Sequence, residues 1–271
     1  MKVVLFCGGQ GMRLRDYSDT VPKPMVPVGN RPILWHVMKY YAQYGHTDFI
    51  LALGHKAAAI KDFFLNYEEA ISNDFVLRSG GQDKQLLTSD IDDWTITFVD
   101  TGINAEIGQR LSRVRQYLDG EEIFLANYAD GVTDLDLNAY ISRFEATERV
   151  GGLLAVRPPQ SYHVVTVKDD EPTRIGPISG ADLWLNGGYF VFRPEIFDYL
   201  DRHIDLADGA ITEMIDNDEL YAHRFDGFWS PMDTFKDKQL LDDLYSRGVA
   251  PWELWKKDPL RAPNSANTKR K

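Results

Sequence analysis

Cysteine is nearly absent: Cys7 is the only one among 271 residues. A lone thiol can form neither an intramolecular disulfide nor a multi-cysteine zinc site. No stretch approaches ~18 consecutive apolar residues, so no membrane-spanning helix is expected. No basic segment followed by an apolar one precedes the first strand, and the expectation is a soluble, cytoplasmic chain. Positive charge is also scarce: 30 Lys and Arg against 41 Asp and Glu leave a net charge of −11. That excludes DNA or RNA as a bulk partner, because phosphate backbones are bound by clustered cations. A small phosphorylated ligand is still allowed, since it needs only a few placed cations and backbone N–H groups. With 44% hydrophobic residues a sizeable core is expected.

The chain alternates strand and helix signals. Lys2 to Cys7 is an apolar run of buried-strand character. Asn30 is placed to cap a helix with Pro32 in its first turn, where a missing N–H costs nothing. Ile33, Leu34, Val37, Met38 and Tyr41 recur at helical spacing, and Gly45 supplies the stop. Phe49–Leu53 is the next strand and Ala57–Tyr67 the next helix, which predicts parallel strands with covered faces. Thr95–Val99 and Ile123–Asn127 follow as strands around a helix near Arg110–Tyr117. Gly152–Val156, His163–Lys168, Gly188–Phe192 and Leu220–Arg224 are expected as further, partly antiparallel strands of the sheet, with a helix from Asp233 to Ser246. The fold class is therefore α/β, a Rossmann-like, mixed and mostly parallel sheet flanked by helices. One domain is expected over residues 1–261, with a small sugar-binding or oligomerisation insertion, and 262–271 as a mobile basic tail.

Three glycines, Gly8, Gly9 and Gly11, stand where the first strand should end. Such a turn permits positive φ and close approach of a ligand, and its backbone N–H groups can form an anion-binding concavity. No Gly-Lys-Ser/Thr follows, so it is not a P-loop, and Leu14 occupies the third-glycine position of a dinucleotide fingerprint. A tight turn that needs glycine for geometry alone is the bland alternative. Arg13 and Lys23, close behind, favour a phosphate cradle. Pro22 and Pro24 fix the backbone around Lys23, which suits a point charge on phosphoryl oxygens; a surface lysine in a proline-rich loop is the plain alternative.

Two aspartates stand out. Asp130, followed by Gly131, ends a buried strand on the side where open α/β sheets bind ligands. Asp233 follows an aromatic-rich turn. Brought together in a phosphate site they would hold Mg²⁺, which takes one or two carboxylates plus phosphate oxygens and water. Asp130-Gly131 is also a common turn pair, and Asp233 could cap the next helix. Spacing alone does not show that they meet.

In combination, Gly8-Gly-x-Gly-x-Arg-Leu14, Pro22-Lys-Pro-Met25, Pro32-Ile-Leu-Trp-His36, Val99-Asp-Thr-Gly102, Asp130-Gly131, Asn186-Gly-Gly188, Gly227-Phe-Trp-x-Pro-Met-Asp-Thr234 and Ala250-Pro-Trp252 resemble the sugar-1-phosphate nucleotidyltransferases, nearest to the glucose-1-phosphate cytidylyltransferases. The resemblance spans nearly the whole chain in order. It implies a GT-A-like core and an attack by a sugar 1-phosphate on the α-phosphorus of a nucleoside triphosphate, most simply CTP and glucose 1-phosphate, with pyrophosphate leaving.

By the same resemblance Phe6, Cys7, Gly8, Gly9, Gln10, Gly11, Met12 and Arg13 wrap the nucleotide, with Arg13 on the leaving pyrophosphate. Lys23 stabilises the α-phosphate, and Asp130 and Asp233 carry Mg²⁺, the one cofactor implied. Gly102, Ala105, Arg110 and Gly131 complete the nucleotide site, while Tyr128, Asn186, Gly187 and Gly188 line the sugar pocket. A phosphate monoester is already an anionic nucleophile, so no general base is required and the six histidines are expected to be structural or exposed. Assembly into a homo-oligomer is implied too.

Three departures from the family pattern stand out. Met12 replaces a threonine, Ala105-Glu-Ile-Gly-Gln-Arg110 replaces a hydroxyl-rich Thr-Gly-Gly-Arg stretch, and a Glu-Lys-Pro lysine that grips the sugar phosphate is missing. Arg174 is the candidate replacement. The alternatives are transfer with another base or phosphorylated acceptor, and a non-catalytic nucleotide-binding regulatory paralogue.

Overall fold

The computed structural model describes residues 1–9, 21–159 and 163–256. The chain runs β1 (Val3–Cys7), β2 (Pro27–Val28), β3 (Arg31–Pro32), α1 (Ile33–Gln43), β4 (Asp48–Leu53), α2 (Ala57–Leu65), β5 (Phe75–Arg78), β6 (Asp83–Leu86) and β7 (Thr95–Asp100). Then come α3 (Ile107–Val114), β8 (Phe124–Asn127), β9 (Gly131–Thr133), α4 (Leu137–Glu145), β10 (Gly151–Val156), β11 (His163–Lys168) and β12 (Glu171–Pro177). Last are β13 (Leu185–Phe192), α5 (Ile196–Leu200), α6 (Thr212–Asp216), β14 (Leu220–Phe225), β15 (Trp229–Pro231) and α7 (Phe235–Ser246).

Seven strands form one sheet in the order β14-β10-β13-β8-β1-β4-β7. β1 pairs in parallel with both β4 and β8, β4 with β7, and β10 with β14. Only β13 runs the other way, antiparallel to β8 and β10. Six strands therefore deliver their C-terminal ends to one edge. Alternation along β1 sends Val3, Leu5 and Cys7 into the layer shared with α1, and Val4 and Phe6 into the layer shared with α3 and α5. Burial on both faces is why β1 reads as an unbroken apolar run.

Two expectations change. Asn30 does not cap α1: Pro32 holds the cap position without a side-chain bond, and Asn30 instead donates to Ile71 O and accepts from Tyr245 Oη. His163–Lys168 does not extend the sheet, because it pairs with β12 in a separate hairpin. Gly45 does stop the helix, at φ +84°. The histidine of the Pro-Ile-Leu-Trp-His stretch proves structural. Buried His36 lies 2.9 Å from Val28 O through Nε2, and Trp252 Nε1 donates to its Nδ1 at 3.3 Å. The Pro32–His36 stretch and the closing Ala250–Trp252 stretch are thereby stapled together. Among the described residues no helix is long and apolar enough to cross a membrane.

Candidate active site

Asp130 and Asp233 meet because two three-residue strands pair. β15 runs antiparallel to β9, with Pro231 opposite Gly131, and Met232 N donates to Asp130 O at 2.8 Å. Asp130 directly precedes β9 and Asp233 lies two residues beyond β15, so the two carboxylates emerge at the same end of this ladder. Ala129, just before Asp130, is fully buried at φ +62°, a left-handed conformation that a non-glycine residue adopts at a cost. Asn127 Oδ1 steadies it by accepting from Ala129 N at 2.7 Å.

Lys23 joins them. It sits in a single 3₁₀ turn between Pro22 and Pro24. Its Nζ donates to Asp130 Oδ2 at 2.7 Å and also to Asp233 Oδ1. The Lys23 side chain is 14% exposed, against 26% for that of Asp130 and 37% for that of Asp233. Burial pulls the lysine pKa down, but the two carboxylates together hold it above its ordinary value. Asp130 is raised by burial, with Lys23 opposing and the Asp233 charge adding to the rise. The capping role open to Asp233 falls elsewhere: Thr234 accepts from Asp237 N, and Asp237 accepts from Thr234 N at 2.8 Å.

The glycine that follows β1 also has a structural use. A Cβ on Gly8 would lie 2.0 Å from Nη1 of Arg110. Its missing side chain makes room for an arginine. Arg110 is 2% exposed and donates to Gly8 O, Leu53 O, Gly102 O, Ile103 O and Thr101 Oγ1 at 2.8–3.3 Å. It ties together the C-terminal ends of β1, β4 and β7, and burial with nearby Arg113 draws its pKa down. Sequence reading put Arg110 at the nucleotide; the structure sets it beneath that edge as a clamp. Phe6 and Cys7 are likewise buried as side chains, at 4% and 0%, and burial pushes the Cys7 thiol far above its usual range. Among the described residues, nothing lies within 4 Å of where a Cβ on Gly9 would sit. Gln10, Gly11, Met12 and Arg13 lie outside the described residues.

Beside this edge, Gly102 turns at φ +82° and Ala105 is half-buried. Gln109 closes a capping box with Glu106 at the start of α3, so the residue that departed from the family pattern has a local structural role. Asn186 Nδ2 reaches Tyr128 Oη at 3.3 Å, while its Oδ1 accepts from Gly188 N at 2.9 Å. Gly188, at φ +74°, faces the Tyr128 ring, which a Cβ would approach to 2.5 Å. Gly187 O accepts from Trp229 Nε1 at 2.9 Å. This bond links the Asn-Gly-Gly segment of β13 to β15, the strand that leads to Asp233, a role for Trp229 that the sequence only hinted at by its aromatic cluster. Burial raises the Tyr128 pKa to about 12, with Asn186 opposing. Arg174 lies exposed on β12, and no hydrogen bond or ion pair among the described residues joins it to Lys23, Asp130, Asp233 or Asn186.

Two carboxylates held within reach of one ammonium form a hard-oxygen donor set, and that suits Mg²⁺ completed by phosphate oxygens and water.

A family model described as nucleotidyl transferase matches residues 2–239. Glucose-1-phosphate cytidylyltransferase of Salmonella typhimurium (strain LT2) is 36% identical over 257 residues, covering 94% of this chain and 100% of the relative. Probable glucose-1-phosphate cytidylyltransferase of Bacillus subtilis (strain 168) is 33% identical with the same coverage. Among solved structures, UTP-bound UGPase from Acinetobacter baumannii superposes with TM-score 0.68 at 20% identity, over 94% of this chain and 96% of that one. At that identity the likeness concerns the fold.

Proposed function

The chain belongs to the nucleotidyl transferase family, and from that premise we propose that it transfers CMP from CTP to glucose 1-phosphate, giving CDP-glucose and pyrophosphate. The observation that carries this reading is the convergence of Lys23, Asp130 and Asp233 at the ligand-binding edge. It is supported by full-length relatives at 33–36% identity named as glucose-1-phosphate cytidylyltransferases.

A phosphate oxygen of the acceptor attacks the α-phosphorus of CTP. The new P–O bond forms as the bond to the β-phosphate oxygen breaks, and pyrophosphate carries that electron pair away. Lys23 places a fixed positive charge where negative charge gathers on the α-phosphoryl oxygens. Its bonds to Asp130 and Asp233 keep the ammonium aimed without a substrate present. When bound, Mg²⁺ on those carboxylates neutralises triphosphate charge and helps hold it in line. Arg13 takes the leaving pyrophosphate. Arg110 keeps the three strand ends in register beneath the nucleotide, with Gly8, Gly102, Ala105 and Gly131 near it. Tyr128 and the Asn186-Gly-Gly188 segment of β13 bound the sugar.

The working protein is a cytoplasmic homo-oligomer in this reading. Two hairpins outside the main sheet support it by exposing Phe75 and Leu77, and Val165, Val167 and Ile175, because an isolated hairpin needs a packing partner. Product analysis tests the function. CDP-glucose formed from CTP, glucose 1-phosphate and Mg²⁺ supports it; nucleotide binding without any turnover would turn the reading toward a regulatory paralogue.

A further inference from the structure

A sugar 1-phosphate is a dianion, yet the Tyr128–Asn186 corner described above is neutral. Resting on the proposed function, we infer that Arg157, stacked on Trp184 and backed by Arg224, forms the cationic subsite that grips the acceptor's phosphate.

Sheet register places these residues. Ala155 of β10 lies opposite Asn186 of β13. Residues directly opposite in an antiparallel pair share a face, and so do residues two apart on one strand. Arg157, two beyond Ala155, therefore falls on the face of Asn186, as does Trp184, two before it. The ring contact agrees: the Arg157 guanidinium carbon lies 3.9 Å from the Trp184 ring centroid. On the other side of β10, Ala155 is level with Arg224 of β14, whose guanidinium carbon is 5.9 Å from the same ring. One tryptophan thus carries two arginines, on the face of the sheet that bears Asn186. Arg157 directly follows the C-terminal end of β10, the edge to which β1 and β8 also deliver their ends.

Arg157 is also preorganised. Its Nη1 donates to Ala181 O at 3.0 Å and its Nε to Asp226 Oδ1 at 3.3 Å. Asp226 and Asp182, its acidic neighbours, are 74% and 94% exposed. Ion pairs to carboxylates so well solvated are weak, whereas a phosphate offers the planar fork two parallel charge-assisted bonds. Arg174, by contrast, lies exposed on the β11–β12 hairpin, where it lines a small groove with Val164, Thr166, Pro177 and Ala181, and among the described residues no aromatic ring stacks on it.

The test is steady-state pyrophosphate release with each substrate varied in turn. Arg157→Gln should raise the KM for glucose 1-phosphate at least tenfold while the KM for CTP stays within twofold. Arg157→Lys should recover part of the loss, and Arg224→Gln should shift the same constant by a smaller factor. An unchanged acceptor KM in Arg157→Gln, or the whole effect appearing in Arg174→Gln, would overturn the assignment. Calorimetric titration of glucose 1-phosphate separates this inference from the functional one. If wild type is inactive, tenfold weaker binding by Arg157→Gln still supports the subsite, and equal binding refutes it.

Discussion

Removing the ammonium between the two carboxylates is the sharpest perturbation the site offers. Lys23→Met keeps the chain length and apolar stem but leaves Asp130 and Asp233 facing each other. At 2.7 Å and an effective dielectric near 20, the lysine's attraction to Asp130 alone is on the order of 6 kcal/mol before desolvation. Stripping one partner from a buried pair costs ~3–5 kcal/mol, while an exposed pair is worth ~1 kcal/mol or less. With Asp130 26% and Asp233 37% exposed, the site falls between these limits. A loss of about 2–3 kcal/mol is expected, which lowers Tm by roughly 4–5 °C for a chain of this size. Mg²⁺ should return much of that loss in Lys23→Met and add little to wild type, because the cation then supplies the charge the lysine gave. Turnover should fall by ~10²–10³, the cost of losing one placed transition-state charge. Differential scanning calorimetry with and without Mg²⁺ reads the first two effects. An unchanged Tm, or equal Mg²⁺ stabilisation of both proteins, would refute the reasoning.

Other outcomes follow from the same geometry. His36 is held neutral by burial, its pKa lowered to about 4 from 6.5, so the unfolded chain binds a proton that the folded one refuses. Its contribution is complete above pH ~6.5 and is lost as pH falls toward ~4, by about 3 kcal/mol in all; urea unfolding across that window should show the decline, and His36→Gln should flatten it. Arg110→Met strips the donors from Gly8 O and Gly102 O, and a loss of ~3 kcal/mol or more in urea unfolding is expected. Thr234→Ala should cost about 1 kcal/mol through the lost α7 cap, with Thr234→Ser restoring it.

Much of this was legible in the sequence where the signal was local and repeated. β1 announced itself because both of its faces are buried, and α1 because its apolar positions recur at helical spacing. Proline rigidity around Lys23 pointed to a placed charge. What one dimension could not hold was pairing. β9 and β15 are three residues each, too short for an alternation pattern, yet their register alone brings Asp130 to Asp233. Gly8 read as room for a phosphate, and nothing local foretold that its Cβ side is filled by Arg110, 102 residues away. Asn30 looked like a cap because its type and position fit one, but tertiary bonds to Ile71 and Tyr245 claim it. Trp184 and Arg157 carried no motif, and their pairing emerges only from strand register.

The most direct test of the central claim is pyrophosphate release in Mg²⁺ over CTP, UTP, dTTP, GTP and ATP, each against a panel of sugar 1-phosphates that includes glucose. Release confined to CTP with glucose 1-phosphate, and falling ~10²–10³ in Lys23→Met, is the result this account predicts. Silence across the whole grid, with nucleotide binding intact, would contradict it.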